Sequence, residues 1–107
     1  MKPVFIYIPT TDLATATQFY RETLGLEETW REGDDTVAFA FPESNLQLMV
    51  TTSPGGPGPM YLVPSAAQWL VEHPSVEVSV PILEIPGGAV VGLRDPSGNE
   101  FYVFDQR

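Results

Sequence analysis

The first apolar run, Val4-Phe5-Ile6-Tyr7-Ile8, is β-branched and aromatic throughout and is bounded by Pro3 and Pro9. That pattern predicts a buried strand. Thr10-Thr11-Asp12 follows, with side-chain oxygens able to accept the free amide protons of a helix start. Leu13, Ala16, Tyr20 and Leu24 then recur at spacings of three and four, the mark of one helix face. Gly25 stands where a left-handed residue ends such a helix. Residues 26–31 predict a strand and Glu32-Gly33-Asp34-Asp35 a turn. Two more strands follow. Residues 36–41 alternate Val37, Phe39 and Phe41 against Ala38 and Ala40, and residues 46–51 alternate Leu46, Leu48 and Val50 against Gln47 and Met49.

Residues 52–59 read TSPGGPGP, six of eight positions being proline or glycine. Such a stretch interrupts regular structure and reads as a connector between halves. Beyond it the order of elements repeats. Residues 60–63 predict a short strand. Pro64-Ser65 can open a helix through Ala66, Ala67, Trp69, Leu70 and Val71, ended by His73-Pro74. Residues 76–80 predict a strand, and residues 81–88 a loop. Two last strands, 89–93 and 101–105, are joined by Asp95-Pro96-Ser97-Gly98-Asn99, whose residue types suit a type I turn. Gln18-Phe19-Tyr20 is echoed by Gln68-Trp69-Leu70, and the Pro42-to-Asn45 spacing by Pro96 to Asn99. Echoes and element order together indicate a duplicated βαβββ module. The chain reads as one domain over 1–107, with module one near 1–52, the connector at 52–59 and module two near 60–107.

Composition narrows the chemistry. The chain has 107 residues, of which 43% are hydrophobic and 18% charged, enough apolar content for a core without staples. It has no cysteine, which excludes disulfides, thiol catalysis and cysteine-bound zinc. Five Lys and Arg stand against fourteen Asp and Glu, a formal charge of −9. Lys2, Arg21, Arg31, Arg94 and Arg107 make no cationic cluster. Nucleic acid and anionic membranes are therefore poor partners, whereas a cationic ligand is compatible. No signal-peptide core or membrane-length apolar run is visible, so the expectation is a cytoplasmic protein.

Asp12-Leu13, Phe19-Tyr20 and Leu24-Gly25 form a D-L-x5-F-Y-x3-L-G helix, and Arg94-Asp95-Pro96-Ser97-Gly98-Asn99 an R-D-P-x-G-N turn. With the element order, these motifs resemble the vicinal oxygen chelate superfamily of glyoxalases, bleomycin-resistance proteins and extradiol dioxygenases. The resemblance implies an α+β fold: two βαβββ modules forming a curved, mostly antiparallel eight-stranded sheet, open on one side. It also implies that metal-dependent members carry up to four ligands on the concave face. At those positions this chain has Phe5, Gln47 and Tyr102, and the fifth-strand position falls near residues 58–60, without a histidine. The sole histidine, His73, follows the second helix. Neutral amide, phenol and hydrocarbon do not make a divalent-ion site, so no metal and no cofactor is expected.

With Phe5 and Tyr102 facing inward, alternation brings Tyr7, Gln47, Met49 and Phe104 to the same side, a lining suited to a small molecule. Trp30 stands in an acidic stretch where it could stack a flat cation. The candidate ligand-binding residues are thus Phe5, Tyr7, Trp30, Gln47, Met49, Tyr102 and Phe104, and no catalytic residue is assigned. The function expected is binding of a small organic molecule without turnover, as in the bleomycin-resistance branch. Two alternatives stand beside it: a metal-dependent lyase or dioxygenase with non-standard ligands, and a structural protein whose concavity is filled. A symmetric homodimer is expected, with a contact that includes apolar surface from the first strand or the connector.

Overall fold

The computed structural model describes residues 1–107. Strand β1 (Lys2–Pro9) is followed by helix α1 (Leu13–Gln18), a wider helical turn at Phe19–Thr23, and strands β2 (Glu27–Glu32), β3 (Thr36–Ala40) and β4 (Gln47–Thr51). The second half repeats this with β5 (Gly58–Leu62), α2 (Ala66–Glu72), β6 (Glu77–Ile85), β7 (Gly88–Arg94) and β8 (Glu100–Gln106). All eight strands join one sheet in the order β2-β3-β4-β1-β5-β8-β7-β6. Only β1 with β4 and β5 with β8 are parallel; the other pairs are antiparallel. No helix is long and apolar enough to cross a membrane.

The β1–β5 ladder joins the halves within one chain, with Phe5 opposite Met60 and Tyr7 opposite Gly58. Strand β1 is therefore central, with both edges taken. It offers no free backbone edge to a second copy. A flat sheet of eight strands would be about 34 Å wide. Here Trp30 of β2 and Leu83 of β6, on the two outermost strands, wall one cavity, so the sheet curls.

Alternation along the strands sorts the core. On the helix-covered face, Val37, Phe39, Leu48 and Val50 pack with Leu13, Ala16 and Tyr20 of the first helical segment. Val91, Leu93 and Val103 pack beneath α2 with Ala66, Trp69 and Leu70. The opposite face carries Phe5, Tyr7, Ala38, Met60, Tyr102 and Phe104. The helix starts are capped as their sequences direct: an Asp12 oxygen accepts from the Thr15 amide at 3.1 Å, and Ser65 Oγ from the Gln68 amide at 3.1 Å.

Two elements differ from expectation. The face Leu13, Ala16, Tyr20 does not extend to Leu24, which is 52% exposed. The Leu24 amide bonds the Phe19 carbonyl, an i to i+5 step that widens the last turn and swings Leu24 outward; Leu26 takes its place in the cluster. The loop expected over residues 81–88 is mostly strand, because β6 runs on through Pro81 to Ile85 before the Pro86-Gly87 turn. An edge strand tolerates proline, whose missing N–H would otherwise interrupt a ladder. Here the β6–β7 register shifts between Val80 and Leu83, around Pro81.

Candidate functional site

Four central strands put four concave positions in one row: Gln47 on β4 faces Phe5 on β1, Phe5 faces Met60 on β5, and Met60 faces Tyr102 on β8. This is the row that the family resemblance equates with metal ligands. Its side chains do not fit that task. Phe5 has no donor atom and Met60 only a soft thioether. The Gln47 amide oxygen accepts the Thr29 hydroxyl at 2.7 Å. The Tyr102 hydroxyl donates to the Gly56 carbonyl at 2.6 Å. A hard divalent ion needs carboxylate, imidazole or free carbonyl oxygens, which this row does not offer. No three His, Cys, Asp or Glu side chains come together elsewhere as a metal group. His73 sits at the far end of α2, where its Nδ1 lies 2.7 Å from the Trp69 carbonyl and its ring stacks on Trp69.

The middle of the concave face is packed. The Tyr7 and Tyr102 rings stack with centroids 4.1 Å apart, and Phe5 leans on Phe104 at 5.8 Å. The Tyr7 hydroxyl donates to the Pro54 carbonyl at 2.7 Å. Burial raises both phenols above the ordinary tyrosine value, and the Glu100 carboxylate adds to the rise; at Tyr7 the Ser53 hydroxyl offsets part of it. Both groups stay protonated at neutral pH and serve as donors, which removes them as general bases.

Beside this packed centre lies a cavity of about 420 Å³. Six of the seven candidate residues line it: Phe5, Tyr7, Trp30, Met49, Tyr102 and Phe104. Gln47 shares their side of the sheet by register but does not reach the cavity, its amide being held by Thr29. Residues not singled out from sequence also line it, notably Met60, Val80, Leu83 and Ser53-Pro54 of the connector. Val80 and Leu83 belong to the strand whose continuation past Pro81 was missed. Alternation of β8 and its parallel pairing with β5 could have found Met60.

The electrostatics of the lining are one-sided. No lysine or arginine borders the cavity. Glu32 and Asp35 border it next to Trp30 and form no ion pair, whereas Glu84 and Asp105 are engaged by Arg107 at 3.1 and 3.3 Å. Trp30 is 41% exposed, so its indole is open to an incoming molecule.

A family model described as Glyoxalase/Bleomycin resistance protein/Dioxygenase superfamily matches residues 2–77. No curated protein matches the chain. Among solved structures, an NAD-dependent benzaldehyde dehydrogenase from Legionella pneumophila is similar with a TM-score of 0.74 at 13% identity, over 96% of this chain and 98% of that one. A glyoxalase/bleomycin resistance protein/dioxygenase superfamily member from Vibrio splendidus 12B01 gives 0.65 at 14% identity, over 100% of both chains. Methylmalonyl-CoA epimerase from Mycobacterium tuberculosis gives 0.58 at 16% identity, over 99% of this chain and 88% of that one. At such identities the likeness concerns the fold alone.

Proposed function

The chain belongs to the glyoxalase/bleomycin resistance protein/dioxygenase superfamily, and we propose that within it the protein binds a small, flat, cationic organic molecule without a metal and without turnover. The observation that carries this reading is the cavity of about 420 Å³, walled by aromatic and apolar side chains, with Trp30 beside the unpaired Glu32 and Asp35 and no cation in the lining. An indole face and nearby carboxylates favour a delocalised cation over an anion of the same shape. The reading assigns no catalytic residue: the phenols are neutral donors tied to backbone carbonyls, and the carboxylates of the lining are assigned to the ligand's charge.

Fluorescence tests the reading. Trp69 lies outside the cavity, so a Trp69→Phe background leaves Trp30 as the sole reporter. N-methylquinolinium should quench it saturably at micromolar concentration, and Glu32→Gln with Asp35→Asn should weaken binding about tenfold, a change of about 1.4 kcal/mol. Quinoline sulfonate should not bind. Binding confined to the anion would overturn the cationic class, and no saturable binding by either probe would overturn the binding function. In parallel, nickel, zinc, manganese or iron should leave the melting temperature unmoved. A bound ion at 100 times its dissociation constant would add about 2.7 kcal/mol, and an EDTA-reversible rise of that kind would restore the metal-dependent alternative.

A further inference from the structure

We infer that residues 52–57 are a fixed wall that sets the largest molecule the cavity admits, held in place by the Tyr7 and Tyr102 hydroxyls; this rests on reading the cavity as a ligand site. In a stretch so rich in glycine and proline, proline favours stiffness and glycine mobility, and its contacts decide for the first. The Thr52 amide donates to the Asp35 carbonyl at 2.9 Å, and the Ser53 amide to Thr51 Oγ1 at 3.1 Å, which anchors the start of the segment. The Pro54 carbonyl then accepts from Tyr7 and the Gly56 carbonyl from Tyr102. Those two rings are stacked, so the two bonds stand on a single post that rises from β1 and β8.

Glycine is required where the segment crosses. Gly55 adopts φ +115°, and a Cβ there would fall inside contact distance of the Tyr102 hydroxyl and close to Val80. A Cβ on Gly56 would run into the Glu100 carboxylate. The backbone therefore lies directly on the concave side chains, reaching across to β6, and its residues Ser53 and Pro54 form part of the cavity lining. In the row where metal-dependent relatives would hold an ion, a phenol instead pins the connector. The same chemistry that makes the row unfit for metal fixes the cavity's boundary.

The chain has no cysteine, so Met49→Cys places a lone thiol on the cavity wall. Its reaction with methyl, benzyl and naphthylmethyl methanethiosulfonates reads the size of the opening without any ligand. Relative to the denatured chain, the naphthylmethyl reagent should be slowed at least about tenfold more than the methyl reagent. Adding Tyr7→Phe with Tyr102→Phe should remove most of that discrimination, and so should adding Gly55→Ala, which disturbs the same contact from the other side. A thiol at Val91, fully buried on the opposite face, should stay unreactive in every background. Equal size ratios in all backgrounds would overturn the inference. So would opening of the Val91 thiol together with the cavity thiol in both, since the segment would then brace the fold and not filter by size. Because no ligand is used, this result is separable from failure of the cationic probes to bind.

Discussion

At the scale of single residues, the inward-facing aromatics were legible because alternation in a strand leaves little choice. Once Phe5 faces the concavity, Tyr7 must as well, and Tyr102 brings Phe104 with it. What alternation does not carry is where a polar tip finds its partner. Gln47 is on the expected side, yet a hydroxyl eighteen residues away takes its amide. Asp105 shows the same gap. It closes the strand expected over residues 101–105 after the apolar run Phe101-Tyr102-Val103-Phe104, and nothing in the pattern marks it as buried, but it is 3% exposed. One carboxylate oxygen accepts the Ala66 amide at 2.7 Å and the other the Ala89 amide at 3.0 Å, tying the start of α2 to β7 and β8. Asp105→Ala leaves both amides buried and unpaired and should cost about 2–4 kcal/mol in urea unfolding. Asp105→Asn, with one acceptor oxygen, should fall between alanine and the native chain. A loss under about 0.5 kcal/mol for alanine would mean that these amides find other partners.

At the scale of elements, the caps and turns were readable because their chemistry is local, whereas the widened turn at Phe19–Thr23 and the second half of β6 depend on tertiary context. A proline in a run of residues argues against a strand unless the strand lies at an edge, and edge position is set by the whole sheet. The two family motifs are both carboxylate-centred local structures. Asp12 accepts from the Thr15 amide and hydroxyl. Asp95 accepts from the Asn99 amide and side chain and from the Ser97 amide. The Thr15 side-chain and backbone bonds hold the Asp12 carboxyl below its ordinary pKa, and the Asn99 bonds do the same for Asp95. For a carboxyl depressed in the folded state, the stabilisation is complete above the unfolded value, near 3.8. It is lost as pH falls through the lower folded value. The acid limb of a melting-temperature profile should therefore flatten in Asp12→Asn and Asp95→Asn, with little further loss below pH of about 4 compared with the native chain. An unchanged acid limb in the double variant would place the acid sensitivity elsewhere.

At the scale of the whole molecule, the repeat was visible as an order of elements, but how the repeats meet was not. Antiparallel pairing of β1 with β5 completes the concave face within one chain, so a second copy is not needed to build the sheet. A homodimer must then use outer surface, and this includes the connector, where Pro54 and Pro57 are exposed. Exposed apolar side chains also lie on the helical segments, at Phe19, Leu24 and Val71, and at the two ends of the sheet. Edge strand β6 exposes Val78, Ile82 and Leu83 at 42–45%, and edge strand β2 exposes Trp30. A standard interface takes about 800 Å² from each partner, roughly an eighth of the 6321 Å² of accessible surface. We expect the β6 edge to form the centre of that contact. Its shifted register at Pro81 works against strand-to-strand addition, so side-chain packing is the mode expected. Each copy carries a formal −9, and bringing two together is opposed by charge that salt screens over a Debye length of about 10 Å at 0.1 M. Light scattering at micromolar concentration should accordingly show the mass rising toward twice 11.8 kDa as sodium chloride is raised. Ile82→Glu should hold the protein at the single-chain mass throughout. A single-chain mass for the native protein at every salt concentration would remove the dimer and leave a cavity that each chain builds alone.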